Sequence, residues 1–121
     1  MVALVESAHD SLIGYRDEHP DNHWGTPAMV VALGALADSF YARYSKRLEY
    51  NDMSLQLGGV LDLNRDWKPP HDEHRVGTSA DLRTFSRNAR ELRFVQRSWE
   101  LRGGSVLDET DLDQPHYHLR F

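Results

Sequence analysis

The clearest hydrophobic pattern in the chain has helical spacing and lies in its first half. A Thr-Pro pair at 26–27 opens it, which favours a helix start because threonine caps free backbone amides and proline suits the first helical position. Arg43 and Arg47 lie near the other end, where cations interact favourably with the helix dipole. The apolar positions are Met29, Leu33, Leu36, Phe40 and Tyr44. This spacing predicts a first helix that buries one face.

A second helical pattern lies in the C-terminal half and ends at Gly103-Gly104, a pair suited to stopping a helix. Its apolar positions are Phe85, Leu92, Val95 and Trp99. Five arginines, from Arg83 to Arg97, give the same segment a basic face. We expect that face to be solvated and paired with carboxylates rather than bound to nucleic acid.

Apolar and polar residues alternate in other parts of the chain, which predicts short strands. Residues 48–63 contain Gly58-Gly59 and are expected to form two strands or one strand bent at the glycines. Further strands are expected at 80–82, 105–107 and 116–121, the last two being separated by an acidic turn at 108–113.

The two remaining segments lack a regular period. Residues 64–79 contain adjacent prolines and are expected to form a long ordered loop, while residues 1–25 are expected to form a short helix followed by a loop. Together these elements predict an α+β fold in which two main helices pack on a small, mostly antiparallel sheet. With 121 residues the chain is expected to be a single domain, and its 25-residue lead-in is compatible with its being part of a longer protein.

The amino-acid composition indicates which broad class of protein the chain belongs to. Apolar residues make up 40% and charged residues 27% of the chain, which is typical of a globular domain and not of a disordered one. We expect no membrane span, since the longest apolar run is too short, and no nucleic-acid partner, since the formal net charge is -5. No signal peptide is recognisable, so the sequence does not assign a compartment. It does not indicate the oligomeric state either. The chain has no cysteine, so any metal must be held by nitrogen and oxygen atoms.

The candidate chemistry lies in histidines and an aspartate. His116 and His118 are two residues apart in a predicted strand, so both imidazoles should project from one face while Tyr117 faces the other. His74 and Asp81 are separated by six residues that include a glycine, which allows the loop to turn back toward a strand. One imidazole, one carboxylate and a second imidazole form the ligand set of a catalytic zinc that keeps a position for water. The opposing interpretation is that these histidines are solvated loop residues and that Asp81 caps the following helix.

Three segments together resemble a known family: Leu57–Leu63, Trp67–Asp81 and Pro115–Phe121. They are similar to the zinc peptidase superfamily of D-alanyl-D-alanine carboxypeptidases and dipeptidases, murein endopeptidases and the hedgehog signalling domain. The mark of that superfamily is His-x6-Asp followed by His-x-His or Glu-x-x-His, and the resemblance covers residues from about 48 to 121. It implies a hedgehog/DD-peptidase-like fold and zinc held by His74, Asp81 and His118.

The resemblance also implies a reaction, the hydrolysis of an amide bond in a peptide substrate, in particular one derived from peptidoglycan, by metal-activated water. The chain departs from the dipeptidase branch, since Pro115 stands where that branch has its glutamate base. The base would then be His116 or a residue of the acidic turn, of which Asp113 is the first choice; His116 could instead donate a hydrogen bond to the transition state. The alternative function is a noncatalytic, zinc-bearing recognition or signalling domain of the same fold.

Overall fold

A computed structural model describes residues 2–13, 23–51, 53, 77–111 and 115–121 of the chain. Seven strands and two helices are formed by these residues, and their bounds in chain order are β1 Val2–Ala3, β2 Asp10–Leu12, β3 Trp24–Gly25, α1 Pro27–Tyr44, β4 Leu48–Tyr50, β5 Ser79–Arg83, α2 Ala89–Leu101, β6 Ser105–Glu109 and β7 His116–Arg120. The coarse α+β prediction with two helices is confirmed. Neither helix of the described part is long and apolar enough to cross a membrane.

The main sheet has five strands in the order β2-β4-β5-β7-β6. The pairs β4–β5, β5–β7 and β6–β7 are antiparallel, whereas β2 runs parallel to β4. The sheet is thus mostly antiparallel, as predicted. A separate two-stranded sheet joins β1 and β3.

The first helix follows the sequence prediction at both ends. The Thr26 hydroxyl accepts a hydrogen bond from the Met29 amide at 3.2 Å, and Pro27 is the first helical residue. At the other end Ser45 adopts a left-handed conformation (φ 54°), and its amide donates to the Tyr41 carbonyl at 2.8 Å. Four of the five predicted apolar positions are fully buried, as expected, and the fifth, Tyr44, is half-buried at the end of the helix.

The second helix begins later than its apolar pattern suggested. Asn88 and Glu91 form a reciprocal capping box, with the Asn88 side chain accepting from the Glu91 amide at 2.8 Å and the Glu91 side chain accepting from the Asn88 amide at 3.0 Å. Phe85 therefore lies outside the helix, in a turn, and is 62% exposed. Its predicted place in the buried stripe was wrong, because Asn88 caps the helix and the first helical residue is Ala89, four residues after Phe85.

The lead-in also differs from its prediction. A short helix was expected in residues 1–25, but β1 and β2 occupy 2–3 and 10–12, and β2 extends the main sheet beside β4. Pairing with a distant part of the chain accounts for β2, since the Leu48 amide donates to the His9 carbonyl at 3.2 Å. The predicted strands after residue 53 and the loop at 64–76 lie outside the described residues.

The two faces of the main sheet differ in character. Side chains at alternating positions of β4, β5 and β7 join the buried faces of both helices in one hydrophobic core, and these are Leu48, Tyr50, Ala80, Leu82, Tyr117 and Leu119. The intervening positions carry polar and charged side chains on the opposite face. The candidate histidines and aspartate belong to this polar face.

Candidate metal centre

Asp81 and His118 are direct partners across the β5–β7 ladder. Their side chains leave the sheet on the polar face, and Asp81 Oδ1 lies 3.0 Å from His118 Nδ1. Both side chains are largely shielded, at 13% and 6% exposure. Strand register therefore holds a carboxylate and an imidazole together, although their positions are 37 apart in the chain.

His116 joins this pair from the preceding same-face position of β7. Its Nε2 lies 3.8 Å from Asp81 Oδ1, so both imidazoles approach the same carboxylate oxygen. Tyr117 points to the other face and is buried in the core, where burial and the nearby carboxylate of Asp108 raise the pKa of its phenol. The predicted strand geometry of the His-Tyr-His segment is confirmed.

The opposing interpretation of Asp81 is wrong in this fold. Asp81 is the central residue of β5, and the residue that caps α2 is Asn88. His118 and Asp81 are not solvated loop residues either, because both lie within strands and are mostly enclosed.

Two of the predicted site residues have no described position. His74, the first expected zinc ligand, and Asp113, the alternative proton acceptor, both lie outside the described residues. Within the described ranges no group of three His, Asp or Glu side chains is arranged to hold a metal ion. The described part therefore contributes two of the three expected ligands, Asp81 and His118.

These two residues fit one metal ion in their chemistry and their spacing. An aspartate oxygen and an imidazole nitrogen are both zinc ligands, and two such donors around one tetrahedral zinc are about 3.3 Å apart. In the structure Asp81 Oδ1 and His118 Nδ1 lie 3.0 Å apart, within hydrogen-bond distance of each other, and this separation is also compatible with two donors to one ion.

Glu109 is a member of this cluster that the sequence analysis missed. It lies opposite His116 in the β6–β7 ladder, and its Oε1 is 3.2 Å from His116 Nε2. The sequence analysis assigned Glu109 to an acidic turn, whereas β6 continues through it. A sequence signal existed in the alternation Ser105, Leu107, Glu109, which places all three on one face of a strand.

A second ion pair extends the polar face toward β4. Arg83 Nη1 donates to Glu49 Oε2 at 3.1 Å. The sequence analysis placed Arg83 on the basic face of the second helix, which is wrong, because Arg83 is the last residue of β5 and lies opposite His116 in the ladder. The cluster is therefore bordered by a cation on one side and by Glu109 on the other.

A scan against protein-family models found no match, and a search of curated proteins found none. Any function is therefore inferred from the residues of the chain itself and from their motif spacing.

Proposed function

We propose that this chain is a zinc-dependent peptidase that hydrolyses an amide bond, with peptides derived from peptidoglycan as its substrate class. The observation that carries the proposal is the pairing of Asp81 with His118 at 3.0 Å in adjacent strands, with His116 beside them. His-x6-Asp and His-x-His motifs are short, and each occurs by chance. Asp81 of the first motif and both histidines of the second lie together on one sheet face, and this contact supports the proposal more strongly than either spacing alone.

In this proposal Asp81, His118 and His74 hold the metal. Two neutral imidazoles and one carboxylate leave a net positive site. When bound, zinc supplies a Lewis acid that polarises the substrate carbonyl and lowers the pKa of a coordinated water.

The protein residues have separate tasks around this centre. The β5–β7 ladder fixes the Asp81 and His118 side chains, so that little rearrangement is needed on metal binding. His116, at 20% exposure, is more accessible than His118 and lies on the same face, where its Nε2 can exchange a hydrogen bond with a substrate or a water. The peptidoglycan substrate class is drawn from the resemblance of the motifs alone.

The test begins with metal content. The purified chain is loaded with zinc, freed of unbound ion and analysed for metal beside Asp81→Asn, with Glu49→Gln as the matched control. Both variants change a carboxylate to an amide on the same sheet face. We expect about one zinc per chain in the wild type and in Glu49→Gln, and a loss of about 10-fold or more in zinc affinity in Asp81→Asn.

Hydrolysis is then measured on muropeptides with a D-alanyl-D-alanine terminus and on crosslinked muropeptides. Release of a D-amino acid or cleavage of a crosslink that depends on zinc would support the proposal. Zinc binding without cleavage of any amide substrate would instead identify a noncatalytic zinc-bearing domain. Absence of bound zinc from the wild type would overturn the metal centre itself.

A further inference from the structure

The carboxylate of Glu109 lies beside His116, although Glu109 belongs to none of the motifs found in the sequence. Glu109 Oε1 lies 3.2 Å from His116 Nε2, and the two side chains are 24% and 20% exposed. They face each other directly across the β6–β7 ladder. This placement is set by backbone register rather than by a flexible surface contact.

We infer that Glu109 is a positioning residue that fixes the orientation and the tautomer of His116, an inference that deepens the proposed function and concerns the same site. A carboxylate accepts hydrogen bonds, so the nitrogen that contacts it carries the proton. Nε2–H of His116 thus donates to Glu109 Oε1. A carboxylate that fixes the tautomer and ring orientation of an imidazole is a recurrent arrangement in enzymes.

The tautomer decides which role His116 plays. Its Nε2 is the ring nitrogen nearest to the ligand oxygen of Asp81, at 3.8 Å. With the proton held on Nε2, the nitrogen that faces the centre is a hydrogen-bond donor and has no free lone pair. Since its single Nε2–H is donated to Glu109, His116 is not the acceptor of a proton at this nitrogen, and it stabilises negative charge on the substrate only by sharing that N–H in a three-centre hydrogen bond.

Three close contacts link the side chains of four residues in a continuous row, and these are Glu109, His116, Asp81 and His118. Glu109 Oε1 to His116 Nε2 is 3.2 Å, His116 Nε2 to Asp81 Oδ1 is 3.8 Å, and Asp81 Oδ1 to His118 Nδ1 is 3.0 Å. Without Glu109, the nearest carboxylate to His116 in this row is Asp81, which is already needed as a ligand. Glu109 thus provides His116 with an acceptor other than Asp81.

The first test is spectroscopic and needs no metal. Long-range proton–nitrogen correlation spectra of the ¹⁵N-labelled, metal-free chain report which ring nitrogen of His116 is protonated. We expect the Nε2–H form in the wild type and in Asp108→Asn, which makes a carboxylate-to-amide change on the other face of the same strand. Glu109→Ala should shift the population toward Nδ1–H. A wild-type His116 in the Nδ1–H form would overturn the inference whether or not zinc binds.

The second test separates positioning from direct proton transfer. Glu109→Gln keeps a side-chain oxygen that can accept from Nε2–H, so we expect it to restore part of the roughly 10–100-fold loss in kcat that Glu109→Ala produces, with KM little changed. Zinc content should be the same in all three proteins. If Glu109→Gln keeps the Nε2–H tautomer but is as inactive as Glu109→Ala, Glu109 is itself a proton acceptor and its positioning role is refuted.

The two proposals fail in different ways. A wild type without bound zinc ends the metal-centre proposal and leaves the tautomer result intact. A zinc-bound wild type with an unchanged His116 tautomer in Glu109→Ala ends the present inference and leaves the metal centre intact.

Discussion

Lys46 Nζ lies 2.6 Å from Glu91 Oε2 and joins the end of the first helix to the start of the second, across 45 residues of chain. The side chain of Glu91 is 1% exposed, whereas that of Lys46 is 51% exposed. Burial raises the pKa of Glu91, but the hydrogen bonds from Lys46 and from the Asn88 amide outweigh it and hold the pKa below its ordinary value of 4.5. The ionised carboxylate therefore stabilises the fold.

The first prediction concerns the pH dependence of this pair. Because the folded pKa is lowered, the stabilisation is fully present above the ordinary pKa and is lost as the pH falls through the folded value. We expect Glu91→Gln to lower the free energy of unfolding by about 1.5–3 kcal/mol at neutral pH and by much less in acid. Urea unfolding at about pH 7 and about pH 3 measures the difference. Glu100→Gln, on the exposed side of the same helix, is the control, and a pH-independent deficit in Glu91→Gln would contradict the assignment.

The buried phenol of Tyr50 gives a prediction about the stability of the protein at alkaline pH. Its fully buried hydroxyl donates to the Leu33 carbonyl at 2.7 Å. Burial, and then the charges of Asp10 and Asp38, raise the pKa of this phenol well above 10.0. For an acid whose folded pKa is raised, the stabilisation is present below the unfolded pKa and is lost as the pH rises.

We therefore expect the Tyr50 phenol to ionise only when the protein unfolds. Tyrosinate absorbance should rise in the ultraviolet spectrum at the same pH as the loss of near-ultraviolet circular dichroism, and this rise should be smaller by one tyrosine in Tyr50→Phe. Loss of the hydrogen bond should cost about 1 kcal/mol. Tyr41→Phe, at a 37% exposed position, is the control. Ionisation of Tyr50 before unfolding would refute the prediction.

Two glycines make a matched pair for a packing prediction. A Cβ on Gly104 would overlap the indole of Trp99, whose ring is fully buried and donates from Nε1 to the Arg120 carbonyl at 3.0 Å. A Cβ on Gly34, inside the first helix, would meet no atom within 4 Å. We expect Gly104→Ala to destabilise by about 1–3 kcal/mol.

Gly34→Ala should stabilise by about 0.5–1 kcal/mol, since alanine loses less conformational entropy in a helix. Thermal and urea unfolding followed by tryptophan fluorescence measures both changes. Equal effects of the two substitutions would show that Trp99 does not pack against Gly104 as described.

A fourth prediction separates the two histidines of the last strand. His118→Gln should lose zinc, because His118 is a proposed ligand, whereas His116→Gln should keep zinc and lose about 10²–10⁴-fold in kcat. Elemental analysis and turnover on the same preparations distinguish the two outcomes. Full turnover in His116→Gln would exclude His116 from the reaction.

Local patterns predicted a considerable part of this structure. The apolar stripe from Met29 and the Thr26 cap fix the first helix within a few residues, because both act between near neighbours. The alternation around Tyr117 placed the two flanking histidines on one face for the same reason.

Features that depend on contacts between residues far apart in the chain could not be predicted from local patterns. The lead-in was expected to contain a helix, but it includes β2, because its backbone pairs with β4, a partner that no local period reveals. Glu109 was missed because its importance lies in its register with His116, which depends on where β6 and β7 pair. Asp81 could be placed in a strand from its surroundings, but its contact with His118 required the sheet order.

Because the sheet has one polar and one apolar face, alternate residues of each strand are subject to two different requirements. In β7, positions 116 and 118 carry histidines of the proposed site, while 117 and 119 pack in the hydrophobic core. A saturation scan of residues 79–83 and 116–120 should therefore show effects that alternate from one residue to the next. Substitutions on the polar face should reduce metal binding or turnover, and substitutions on the core face should reduce the amount of folded protein. The polar face of such a sheet can therefore change by substitution at one set of alternate positions while the other set keeps the same architecture.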